Sequence, residues 1–177
     1  MIPFPNLLEQ FLQKHPDEST LVNQYLERYK DSDAFYRTAR PGHFTASALV
    51  MTPKKDKVLL VEHKKLGFWV QPGGHADGSE DLDNAARREV EEETGVFQLS
   101  GDGTILDLDI HAIPPRPGES GHDHYDVRFL YIADSEANLI ISEESTNIGW
   151  IPITNIKEYS TDASLLRLVH RGLQSLS

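Results

Sequence analysis

The sequence contains no cysteine. Disulfides, thiolate metal sites and cysteine nucleophiles are therefore excluded, and the composition suits a reducing compartment, so a cytoplasmic location is expected. Long apolar runs are also missing. Stretches such as Val58–Val61 fall far short of the ~18 consecutive apolar residues of a membrane span, and no membrane partner is expected. Met1-Ile2-Pro3-Phe4-Pro5 has neither a basic start nor a long apolar run and does not read as a signal peptide. Basic residues are outnumbered, 17 against 28 acidic, for a net charge of −11. That balance opposes a groove that binds nucleic acid through bulk charge, and no recognition-helix segment is evident. Internal repeats and low-complexity linkers are absent too.

What is present fits one folded unit. With 177 residues, 38% hydrophobic and 25% charged, the chain can bury a core and is too apolar for disorder. Residues 1–40 are expected to form a helical extension. Leu21, Val22, Tyr25, Leu26 and Tyr29 recur at helical spacing behind Asp17-Glu18-Ser19, and Pro41-Gly42 ends the segment. Residues 41–177 are expected to be the main domain. Strand-like runs cover Phe44–Met51, Val58–His63 and Phe68–Gln71, followed by a Gly-rich loop over Pro72–Gly78. A helix over Asp81–Thr94 stops at Gly95. Strands then fit Thr104–Ile113 and Asp123–Ala133, and a short one surrounds Trp150. A last helix begins near Asp162 with Leu165, Leu166, Val169, Leu173 and Leu176 on one face. Strands before and after a central helix predict an α/β (α+β) domain with a mixed sheet.

The chemistry concentrates in Gly74–Val96, GHADGSEDLDNAARREVEEETGV. Residues three and four apart share a helix face, so Glu89, Glu92 and Glu93 form one carboxylate cluster beside the apolar stripe Leu82, Ala86 and Val90. Glu89 and Glu93 are a like-charge i,i+4 pair, which by itself costs a helix a few tenths of a kcal/mol. A hard divalent cation reverses that penalty, and carboxylate and carbonyl oxygens suit Mg²⁺ or Mn²⁺. This segment carries eight acidic and two basic residues, a net −6, leaving −5 for the other 154. The surplus charge is thus localised.

The same segment resembles the Nudix hydrolase box, G-x5-E-x7-R-E-U-x-E-E-x-G-U with U apolar. Gly74, Glu80, Arg88, Glu89, Val90, Glu92, Glu93, Gly95 and Val96 occupy every fixed position. Trp69-Val70-Gln71-Pro72-Gly73 before it and an acidic residue ahead of Trp150 after it add to the likeness. The resemblance implies an α/β/α sandwich and hydrolysis, with Mg²⁺ or Mn²⁺, of the pyrophosphate linkage in a nucleoside diphosphate joined to another moiety. It further implies Glu89, Glu92 and Glu93 as metal ligands, with the Gly73 carbonyl added, and Arg88 with Glu80 as the pair that orients them. Glu144, six residues before Trp150, is implied as a further ligand or general base; Glu143 and Glu89 compete for the base role. A nucleotide-sensing module without turnover is the alternative function. Family members often form homodimers, so a homodimer is allowed for.

A second polar group lies on the later strands. Over His122–Ala133, Tyr125, Val127, Phe129 and Tyr131 alternate with His122, His124, Asp126 and Arg128. The aromatic set is expected to be core. If Pro114–Gly121 closes a hairpin, His111 falls beside His124 and Asp107 beside Arg128. Arg128 is then expected to hold a substrate phosphate, with His122, His124, Trp69 and His75 as further substrate contacts. A separate histidine-ligated metal is the sharper reading of the same histidines.

Overall fold

The computed structural model describes residues 2–65, 67–134 and 138–175. In chain order its elements are α1 (Phe4–Lys14), α2 (Ser19–Tyr29), β1 (Gly42–Met51), β2 (Lys57–His63), β3 (Phe68–Val70) and β4 (Gly73–His75). There follow α3 (Leu82–Thr94), β5 (Ile105–Ile113), β6 (His122–Ile132), β7 (Ser145–Pro152), α4 (Ile156–Tyr159) and α5 (Ala163–Ser175).

β1 is buried at every position. A strand of this kind must be covered on both faces, and its alternation shows how. Phe44, Ala46, Ala48 and Val50 enter one apolar cluster, while Leu49 and Met51 enter the other. β1 runs parallel to β6, with His43 opposite His124 and Met51 opposite Ile132. β5 adds antiparallel to β6. On its other side β1 meets β2 and β4, both antiparallel, and β2 in turn pairs β3 and β7. The described strands form one mixed sheet between helices, as the sequence pattern predicts.

The helices are placed by their apolar stripes. α3 starts where the Asp81 carboxylate accepts the Asn84 N–H at 3.1 Å. It ends at Gly95, whose φ of 74° is the left-handed conformation that glycine adopts without strain. Leu82, Ala85, Ala86 and Val90 bury on the first cluster. α5 covers the opposite face with Leu165, Leu168 and Val169, and Leu166 and Leu173 pack at its edge. Leu176, expected on the same stripe, lies outside the described residues, as does Met1.

The N-terminal segment holds two helices, parted where Pro16 opens a 3-10 turn over Pro16–Glu18. Phe4, Leu8, Phe11, Val22 and Tyr25 sit in the same cluster as α3. The Tyr25 hydroxyl donates to the Asp126 carbonyl at 2.7 Å and accepts the Asp109 N–H at 3.0 Å, tying α2 to β5 and β6.

Candidate active site

The site grows from the contact between β4 and α3. β4 is a three-residue strand inside the expected Gly-rich loop, paired to β1 through Ser47 opposite Gly73. The Gly73 N–H donates to Glu93 Oε2 at 2.9 Å. At Gly74 a Cβ would stand 2.5 Å from the Glu89 carboxylate. Glycine there lets the backbone approach the carboxylates without contact strain.

The three glutamates differ in exposure. The Glu93 side chain is buried, that of Glu89 nearly so, and Glu92 is 60% exposed. Burial pushes Glu93 up to about 7. Repulsion from Glu89, Glu144 and Glu92 adds to this, and the Gly73 N–H opposes it. Burial also raises Glu89, against the pull of Arg88. Carboxylates crowded and desolvated in this way gain most from a bound divalent cation, so the donor set fits one.

Arg88 ties the box together. Its guanidinium pairs with Glu89 at 2.9 Å and Glu92 at 3.1 Å, and donates to the His75 carbonyl at 2.9 Å. A further ion pair at 3.4 Å reaches Asp77, a residue the sequence pattern did not single out. Glu80, expected as Arg88's partner, is not among its ion pairs; it accepts a hydrogen bond from the Tyr29 hydroxyl of α2 at 3.4 Å. The charge next to Arg88 is supplied inside the helix and loop, leaving Glu80 to the N-terminal layer.

Glu144 is exposed in the turn just before β7, near enough to Glu93 to raise its pKa, and its carbonyl accepts the Lys64 N–H at 2.8 Å. The register of β2 with β7 therefore brings a residue 51 positions away from Glu93 to the same place.

The second polar group is placed differently. The expected register is observed, with Asp107 opposite Arg128 and His111 opposite His124. However, this face of β6 is covered by α5. Arg128 is 3% exposed and its guanidinium is shared by Asp126 at 2.8 Å, Asp109 at 3.1 Å and Asp107 at 3.3 Å. Ser164 of α5 also accepts from it at 2.6 Å. With all these partners around it, Arg128 is a buried anchor between sheet and helix rather than an open phosphate ligand. Arg167 of α5 completes the group, at 2.9 Å from Asp107 and 2.7 Å from Asp109.

Trp69 meets Tyr159 of α4 edge to face, with ring centroids 5.3 Å apart, and packs on the α5 side of the sheet. His122 is buried and its Nδ1 lies 3.0 Å from the Ser120 carbonyl. His124 and His75 join His43, which the sequence pattern did not mark. Its pairing to β6 arises only through the parallel crossover. Burial and the neighbouring imidazoles hold His43 down to about 4 and His124 down to about 2.

The NUDIX domain family model matches residues 42–170. The chain belongs to the Nudix family. The matched span starts at β1 and holds the whole carboxylate helix. The Bacillus subtilis protein named "Uncharacterized Nudix hydrolase YvcI" is 31% identical over 107 residues, 58% of this chain and 62% of its own length. The Lactococcus lactis protein named "Probable DHNTP pyrophosphohydrolase" is 36% identical over 98 residues, 54% of this chain and 57% of its own length. The chain thus aligns with under two thirds of the length of these curated relatives. Among solved structures, a Caenorhabditis elegans Ap4A hydrolase binary complex superposes with a TM-score of 0.61 at 19% identity, over 75% of this chain and 96% of that one. This last likeness concerns the fold. Nudix hydrolases use divalent metals, in keeping with the donor set around Glu93. Among the described residues, no helix is long and apolar enough to cross a membrane.

Proposed function

We propose that this Nudix protein is a divalent-metal-dependent pyrophosphohydrolase. Its substrate would be a nucleoside diphosphate linked to another moiety, cleaved at phosphorus to release a nucleoside monophosphate or a related phosphorylated product. The observation that carries the reading is the buried Glu93 held by the Gly73 N–H, beside Glu89 and Glu92. Glu89, Glu92, Glu93 and the Gly73 backbone would hold Mg²⁺ or Mn²⁺. The cation would neutralise phosphate oxygens and lower the pKa of the attacking water.

The chain's own residues do the rest. Arg88 fixes Glu89 and Glu92 in one arrangement through paired contacts. Glycine at Gly74 keeps the space beside Glu89 open. Glu144 is exposed and its charge acts on Glu93, which suits it to accept the proton of the attacking water.

The relatives' printed names extend the substrate list to DHNTP and Ap4A. The test is a panel of nucleoside triphosphates, ADP-ribose, dinucleoside polyphosphates and DHNTP, each with Mg²⁺ and with Mn²⁺, products identified by mass. Metal-dependent release of a phosphorylated product from at least one is expected. Tight binding of a nucleotide with no turnover across the panel would replace this reading with a sensing module.

A further inference from the structure

Five of the eight histidines gather at one end of the sheet, on the face opposite α3, and the box chemistry uses none of their rings. His43 comes from the start of β1, His75 from the end of β4, and His124 from β6, directly across from His43. The ring centroids lie 5.2 Å apart for His43 and His75, 4.8 Å for His43 and His124, and 5.5 Å for His75 and His124. One ring nitrogen from each can be chosen so that all three fall within 4.8 Å of one another.

The nitrogens are also unspent. His43 is fully buried, and neither of its ring nitrogens has a hydrogen-bond partner; His124 Nε2 is buried and unpartnered as well. Leaving polar atoms buried without partners is unfavourable. Three strands converge here to create that cost, and a bound ion would take up one nitrogen of each ring. His75 divides its roles: its carbonyl accepts from Arg88 of the box, while its ring turns to His43.

We propose that His43, His75 and His124 form a second metal site, distinct from the glutamate cluster, that binds a borderline transition-metal ion of the Zn²⁺ type. Imidazole nitrogens select Zn²⁺, Ni²⁺ or Cu²⁺ over the hard Mg²⁺, which prefers carboxylate and water oxygens. Three imidazoles leave a coordination position open. Zinc–nitrogen bonds of about 2.0–2.1 Å need ring shifts on the order of an ångström from the observed spacing, and half-buried His75 and His124 have the freedom to make them. Surrounding groups fit as well. His111, held by Asp109 at 3.1 Å, packs its ring on His124 at 5.4 Å.

The test uses the full chain, stripped with chelator and titrated with Zn²⁺ or Co²⁺ in excess Mg²⁺. Excess Mg²⁺ occupies the glutamates without competing for imidazoles. One equivalent of Zn²⁺ per chain is expected by elemental analysis after desalting, with a Co²⁺ visible spectrum of nitrogen ligation and a raised melting temperature. His75→Ala and His124→Ala should each weaken binding at least tenfold, whereas Glu92→Gln with Glu93→Gln should keep the full equivalent. His43 is fully buried, so the half-buried His75 is the informative position should a His43 variant fail to fold. Absence of stoichiometric Zn²⁺ overturns the proposal. So does Zn²⁺ that survives both histidine variants, or that disappears with the glutamates.

Discussion

Glu93 shows how one residue's role depends on what surrounds it. Its identity and its spacing from Glu89 were plain in the sequence. Its burial, its bond to Gly73 and its raised pKa come from β4 folding back against β1. Glu93→Gln keeps the volume and leaves a side-chain oxygen for the Gly73 N–H, so the fold should survive. Turnover should fall by about 10²-fold or more, measured as product release under saturating Mg²⁺ with melting temperature as the control. Wild-type turnover in this variant would remove Glu93 from the site. Arg128 teaches the opposite lesson. An alternating strand made it look open, yet α5 lies over it, and its charge is spent on Asp107, Asp109 and Asp126.

At the scale of elements, the β4–α3 unit carries the proposed catalysis. Gly74→Ala places a methyl 2.5 Å from the Glu89 carboxylate, which must move. The concentration of Mg²⁺ needed for half-maximal activity should rise roughly tenfold, with little change in secondary structure by circular dichroism. An unchanged Mg²⁺ response would show that Glu89 tolerates displacement. The helix itself was legible because its cap Asp81, its apolar stripe and its stop Gly95 are local signals. β4 was not, since Gly73-Gly74-His75 has no strand pattern of its own and is extended only by pairing to β1.

Across the whole molecule, ion pairs join α5 to the sheet and predict an acid response. Burial tends to raise Asp109, but the hydrogen bond from His111, the charge of Arg128 and the bonds from Arg167 and Ser164 outweigh it and hold it well below the usual carboxylate range. A depressed folded pKa adds stability above the unfolded value and loses it as pH falls. Asp107 is more deeply buried, is raised instead, and contributes a slope of the opposite sign. Asp109→Asn should therefore lower the urea midpoint at about pH 5 and flatten its decline between about pH 5 and about pH 3. A parallel decline in both proteins would mean that Asp109 carries no acid sensitivity. The N-terminal layer gives a further prediction. Phe4, Leu8, Phe11 and Tyr25 belong to the main core, and Tyr25 bonds the backbone of β5 and β6. A chain beginning at Gly42 should lose cooperative thermal unfolding, because that removal exposes a large apolar face of the sheet. A cooperative transition near the full-length temperature would show instead that residues 42–177 fold alone.

By itself the sequence determined the carboxylate helix, its stop at Gly95 and the alternation of the strands, all consequences of short-range signals; Asp107 fell beside Arg128 only on the condition of a hairpin at Pro114–Gly121, and the strand pairing met that condition. The tertiary structure decided what those faces meet. The parallel pairing of β1 with β6 joins His43 to His124 across 81 residues. α5 closes over the acidic and arginine face, and β7 carries Glu144 to Glu93. Such meetings depend on which strand lies beside which and which layer covers each side, and no local spacing encodes either.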